Sequence, residues 1–236
     1  MAERCLLAVF AHPDDEAYRP GGTLALLARR GVRVQVLVAT RGQAGSCGEP
    51  PLCTIDDLPV VRERELRCAC AALCLEPPRL LDYQDRHLDQ ADPESIIAEI
   101  LAIVNEFRPQ VMLTFGTDGI SGHPDHIAIG RFAAEAFHHA SGVSALYTIA
   151  VPKSLAENLG IAQIRTVPDE TITLRVDVST VWEAKLAAIR CHATQLGTSP
   201  ITRASRERQR VFLGMEFFVR VALKGGNDFL VGLEEK

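Results

Sequence analysis

The chain has 236 residues, 47% of them hydrophobic and 23% charged, which suits one large globular domain with a substantial core. Its net charge of -5 argues against nucleic acid as the main partner, because phosphate binding needs a basic face. No apolar run approaches the roughly 20 residues of a membrane span, and the N-terminus has no basic-then-apolar signal pattern, so the expectation is a cytoplasmic protein with no membrane partner.

Residues 5 to 10, CLLAVF, read as a buried strand. Residues 21 to 31 read as a helix opened by a Gly pair and stopped by Gly31. A β-branched strand follows at 32 to 40, then a Gly- and Pro-rich loop at 41 to 57, long enough to be functional. An amphipathic helix is predicted over 58 to 75, a short strand over 79 to 83, and a helix over 93 to 107 with Asp92 as its N-cap. A strand at 110 to 115, a helix at 126 to 140 and a strand at 145 to 151 complete the regular part. The last third is less regular: a strand at 171 to 178, a helix at 181 to 195 and a strand at 215 to 223. This alternation predicts an α/β fold of Rossmann-like type, a mostly parallel sheet with helices on both faces, in one domain over 1–236. No GxGxxG follows the first strand, which disfavours a dinucleotide site.

The seven cysteines are an odd number in a chain of ordinary size and do not suggest a disulfide scaffold. Cys68, Cys70 and Cys74 lie in a helical stretch and are expected as buried small hydrophobes. Cys47 and Cys53 bracket a loop and could pair only if oxidised.

Ligands in open α/β sheets bind outside the carboxyl ends of the strands, so the polar residues that follow strands carry the functional signal. After the first strand comes His12-Pro13-Asp14-Asp15-Glu16. Arg41 and Gly42 follow the second, Asp85 and His87 the third, and Asp118, His123, Asp125 and His126 the fourth. Two of these clusters contain a His-Pro-Asp unit. One His and one Asp from the first loop, closed by a His from the second, would have the composition of a catalytic zinc site, which keeps three protein ligands and one open position. A remaining carboxylate could take a proton from the attacking water, and a remaining histidine could stabilise an oxyanion. A single Asp-rich loop is commonly just solvated; two such units, both at predicted strand ends of an alternating fold, are harder to explain that way.

On these motifs the chain resembles the LmbE-like, or PIG-L, family of zinc-dependent N-acetylglucosamine de-N-acetylases, whose fold is a three-layer sandwich. The matching pieces are His12 to Glu16 with Gly21-Gly22-Thr23, then Thr40 to Gly45 as TxGxxG, and Arg62 to Glu65 as RxxE. His123 to His126 supplies HPDH, and Lys185 with His192 to Gln195 supplies the final motif, with Thr194 in place of Ser. The resemblance implies one zinc ion per chain held by His12, Asp15 and His126. It implies Asp14 as general base and His123 as the group that stabilises the oxyanion, kept charged and oriented by Asp125. A carboxylate neighbour should raise the pKa of His123 above its ordinary value of about 6.5. Arg62 and Asp85 match positions that hold sugar groups, and His192 is expected either to line the substrate pocket or to buttress the metal loop. Some members carry a Tyr where this chain has Ser121.

The expected function is removal of the acetyl group from a GlcNAc-type sugar, a small N-acetylated substrate. The alternatives are an amidase of the same fold acting on another N-acylated small molecule, and a metal-binding module without catalysis. Asp14 beside the ligands counts against the last, as does the lack of a fourth protein ligand. Trimers and hexamers occur in the family, so a homo-oligomer is conceivable.

Overall fold

The computed structural model describes residues 3–197 and 201–233. Strand β1 (Cys5–Phe10) is buried along its whole length, as a strand covered on both faces must be. Helix α1 (Asp15–Tyr18) follows at once, then α2 (Gly21–Arg29) and β2 (Arg33–Thr40). The long loop leads to α3 (Leu58–Ala72), β3 (Arg79–Tyr83), α4 (Pro93–Phe107) and β4 (Val111–Phe115). Next come α5 (Gly119–Gly122), α6 (Pro124–His139) and β5 (Ala145–Ala150). The remainder is α7 (Lys153–Leu159), β6 (Leu174–Asp177), α8 (Trp182–Cys191), α9 (Arg206–Leu213) and β7 (Met215–Leu223).

The seven strands form one sheet in the order β3-β2-β1-β4-β5-β7-β6. The first five are parallel, whereas β7 runs antiparallel to both β5 and β6. Chain order reverses between β1 and β4, so a crevice opens beyond their carboxyl ends, where this fold places ligands. The two His-Pro-Asp loops leave those two strands. None of the described helices is long and apolar enough to cross a membrane.

Glu216 on β7 explains the Gly pair of α2. Its carboxylate accepts the backbone N–H groups of Gly22 and Thr23 at 2.8 and 2.7 Å and pairs with Lys185 Nζ at 2.6 Å. A Cβ on Gly22 would lie 2.4 Å from Val178, so only glycine lets α2 pack this closely. Lys185 is therefore a fully buried strut.

Two expectations need correction here. The helix predicted to run to residue 195 stops at Cys191, because His192, Thr194 and Gln195 each bond to a different segment instead of continuing the helical ladder. Cys68 is not a free buried hydrophobe: it is bridged to Cys191, with 5.7 Å between their Cα atoms, an ordinary separation for a disulfide. The partners are 123 residues apart, so no local spacing signals the pair. Cys70 is buried as expected, Cys74 is exposed, and Cys47 and Cys53 are free thiols. Closing so long a loop constrains the unfolded chain, so Cys68→Ser is expected to cost about 2–4 kcal/mol. Denaturant titration with and without reductant checks this, since reductant should then affect the parent protein alone.

Candidate active site

The loop after β1 brings His12 Nδ1 and the Asp15 carboxylate within reach of His126 Nε2 on α6. His126 Nε2 lies 3.2 Å from His12 Nδ1 and 3.2 Å from Asp15 Oδ1, and His12 Nδ1 lies 3.8 Å from Asp15 Oδ2. Donors bonded at about 2.0–2.2 Å around a tetrahedral ion are separated by roughly 3.3 Å, so both contacts of His126 Nε2 match that spacing, whereas His12 approaches the other Asp15 oxygen at a wider distance. Among the described residues, His12, His123 and His126 each offer a nitrogen within 4.8 Å of one another, and His12, Asp85 and Asp125 form a second such group.

Each donor is held from behind. His12 Nε2 faces Asp85 Oδ1 at 3.1 Å and Asp125 Oδ2 at 3.0 Å. Burial works to lower the pKa of His12, but these hydrogen bonds and the charge of Asp15 outweigh it and push the value up to about 10. His126 Nδ1 is bound to the Gly119 carbonyl at 3.1 Å, and its ring stacks on Phe115 with centroids 4.1 Å apart. Asp15 Oδ2 accepts the backbone N–H of His12 at 2.9 Å. Outer partners of this kind fix ring orientation and tautomer in metal sites.

Asp14 does not join the donor set. Its backbone has φ 114°, which a residue with a side chain seldom adopts, and its N–H donates to Glu16 Oε2 at 3.0 Å. Burial first, and the charges of Asp15 and Glu16 after it, raise its pKa to about 6 against the opposing pull of Arg62 and His192. A carboxylate poised near neutrality suits a general base.

Several expected roles are filled differently. Asp125 does not hold His123 by its carboxylate, which is spent on His12 and on the N–H groups of Arg86 and Leu88 at 2.6 and 3.1 Å. Only the main-chain N–H of Asp125 reaches His123, donating to Nδ1 at 3.2 Å. His123 is the N-cap of α6, and this bond is its cap. The pKa of His123 is lowered rather than raised, by burial and by the neighbouring His12 and His126, which outweigh the opposing pull of Asp125 and Asp15. Asp85, expected at the substrate, instead accepts from the Ala44 N–H at 2.9 Å and faces His12. Arg62 donates to the Pro13 carbonyl and, at 2.8 Å, to that of Gly42, and its Nη2 lies 3.4 Å from Asp14 Oδ2. His192 is fully buried and does not line the cavity; its Nε2 meets Glu16 Oε1 at 2.6 Å.

These groups open into a cavity of about 430 Å³. Arg62 and Asp85 remain on its wall, so their bracing roles leave them beside the substrate. Tyr18, Arg19, Arg86, Ile120 and Gln195 line it too, although the motifs assign none of them to the site. One signal was available for Tyr18, which stands one helical turn after Asp15. None marked Ile120, whose φ of 61° is unusual for a β-branched residue and belongs to the turn that presents His126.

Gly42 gives a sharp test of the Arg62 brace. It has φ +64°, and an added Cβ would lie 2.0 Å from Arg62 Nη1. Gly42→Ala should strain the backbone and expel the guanidinium from Pro13 and Asp14. The expected result is a lower melting temperature and a kcat/KM reduced at least about tenfold, since small misplacements of reacting groups are costly. Unchanged steady-state kinetics would show that Arg62 need not sit there.

The family model described as PIG-L, GlcNAc-PI de-N-acetylase, matches residues 7–137. The 1D-myo-inositol 2-acetamido-2-deoxy-alpha-D-glucopyranoside deacetylase of Acidothermus cellulolyticus is 33% identical, over 92% of this chain and 88% of that protein. Among solved structures, the 4-carboxy-2-hydroxymuconate hydratase of Pseudomonas putida KT2440 has a TM-score of 0.71 at 20% identity, covering 96% of this chain and 99% of that one. The N,N'-diacetylchitobiose deacetylase of Pyrococcus horikoshii has a TM-score of 0.67 at 18% identity, covering 92% and 84%. At such identities these two likenesses bear on the fold alone, and since one neighbour is a hydratase the chemistry has to be argued from the site.

Proposed function

The chain belongs to the PIG-L family, and we propose that it is a zinc-dependent hydrolase that removes the acetyl group from a 2-acetamido-2-deoxyglucoside, yielding acetate and the free amine. The observation that carries this reading is the meeting of His12, Asp15 and His126 on the wall of a cavity beside an aspartate, Asp14, that stays outside the donor set. A cavity of about 430 Å³ lies within the range of roughly 300–1,000 Å³ found for small-ligand sites. The name of the Acidothermus cellulolyticus relative supports the substrate class.

A bound zinc ion would supply Lewis acidity, lowering the pKa of a water molecule and polarising the amide carbonyl. The chain's own groups do the rest. Asp14 takes the proton of the water as its oxygen adds to the acyl carbon. Asp14 then returns the proton to the nitrogen as the C–N bond breaks, so that the amine leaves neutral. His123 accepts the Asp125 N–H at Nδ1, so its neutral ring carries the proton on Nε2 and donates it as a hydrogen bond to the developing oxyanion. It serves as a neutral donor, unlike the imidazolium that the motif implied. Arg62 and Asp85 stand beside the sugar, and their main work is to hold Asp14 and His12. The five free cysteines support a cytoplasmic setting, and the Cys68–Cys191 bridge is the feature that opposes it.

The test is a panel of N-acetylated compounds incubated with enzyme carrying one equivalent of zinc. Amine and acetate should appear in equal amounts from N-acetylglucosaminides and not from N-acetylamino acids. Loaded enzyme that frees no amine from any glucosaminide would overturn the reading.

A further inference from the structure

We propose that Glu16, anchored by His192, is the residue that positions Asp14 for proton transfer; this rests on the reading of Asp14 as the general base. Glu16 is wholly buried and spends both carboxylate oxygens on specific partners. Oε2 accepts the backbone N–H of Asp14 at 3.0 Å, and Oε1 meets His192 Nε2 at 2.6 Å. The held N–H belongs to the residue with φ 114°, a conformation that persists only where surrounding contacts enforce it. Asp14's side chain itself is approached by Arg62 Nη2 at 3.4 Å.

His192 suits the role of an anchor rather than a substrate contact. It is fully buried and lies off the cavity wall. Its Nδ1 has no acceptor among the described residues, so Glu16 is the partner that fixes the ring. The turn it begins is tied down on both sides. Behind it, Cys191 is bridged to Cys68 of α3. Ahead of it, Thr194 gives its N–H and hydroxyl to the two oxygens of Glu65 at 2.8 and 2.7 Å, and Gln195 donates to the Ser46 carbonyl at 2.8 Å. A buried ion pair that only filled the core would have no need to place one oxygen on the strained amide of a cavity residue. Glu16 acts through Asp14 and touches no reacting atom, so it is a positioning residue.

A double-mutant cycle reads this directly. In the zinc-loaded enzyme, Glu16→Ala should lower kcat about 10- to 100-fold with KM within about threefold, as expected when a group is misplaced rather than lost. In an Asp14→Asn background the same change should cost nothing more, because residues that act as one unit are not additive. Glu16→Gln keeps an oxygen for the Asp14 N–H and should stay within about threefold of the parent. Hydrogen exchange at the Asp14 amide supplies a readout independent of turnover: Glu16→Ala should speed it at least about tenfold. Should Glu16→Ala not fold, His192→Asn shortens the tether and carries the same cycle and exchange measurement. Equal losses in both backgrounds, a Glu16→Gln variant as impaired as Glu16→Ala, or unchanged exchange at Asp14 would each overturn the proposal. Failure of the functional reading looks different, because the parent enzyme itself would then free no amine while the exchange result stood.

Discussion

His126→Ala is expected to give a folded protein that has lost its grip on the divalent ion. The ring it removes provides the nitrogen that lies 3.2 Å from both His12 Nδ1 and Asp15 Oδ1. Two donors from one short loop are left, and a three-ligand catalytic site cannot be closed by them. Loss of an outer partner in such sites costs about 10- to 100-fold in affinity, so loss of a ligand should cost more than about 100-fold. His126 is only partly buried, and what it leaves behind is a shallow gap beside Phe115, so the melting temperature without metal should move little. Titration calorimetry with zinc, paired with elemental analysis after dialysis, decides the matter. A variant that keeps one equivalent of zinc at parental affinity would remove His126 from the ligand set.

Asp14→Asn should do the opposite, keeping the ion and losing the rate. Asparagine matches the shape of aspartate and tolerates positive φ better than most residues, so the loop should survive. What disappears is the capacity to accept a proton from water and return it to the amine, a contribution of about 100- to 10,000-fold in kcat. Zinc content should stay at the parental value, because Asp14 lies outside the triangle formed by His12, Asp15 and His126. If the variant lost zinc and activity together, the roles of the two adjacent aspartates would have to be exchanged.

The contrast between these two variants turns on features that were legible from the residues alone. Local chemistry announced β1, because an apolar run that stops at His12-Pro13-Asp14-Asp15 can hardly be anything but a buried strand meeting a polar edge. The helix over 93–107 is legible to the residue, since Asp92 caps it and Pro93 opens it. Short-range signals failed where the partner lies far along the chain. Nothing near Asp125 says that its carboxylate turns to a histidine 113 residues earlier, and the spacing of HPDH points to His123 instead. The same limit hid the Cys68–Cys191 bridge and the stop of α8 at Cys191, both decided by contacts across the fold. Helices α1 and α5, four residues each, are too short to show a helical period. The antiparallel direction of β7 also has no mark in its own residues, because it depends on which edge the chain reaches after α9.

The anchoring of Glu16 by His192 has a consequence for the order in which a growing chain becomes competent. His12, Asp15 and His126 all lie before residue 127, and the five parallel strands end at Ala150. Domains tend to organise from the N-terminus during synthesis. A nascent chain released to that point already carries His12, Asp15 and His126, whereas His192 is still in the ribosomal tunnel or not yet made. On this arrangement the first His-Pro-Asp loop is made well before the turn that holds Asp14 in place. The last third of the chain thus supplies, through His192, Thr194 and Gln195, the turn that holds the loop carrying Asp14 to the rest of the fold.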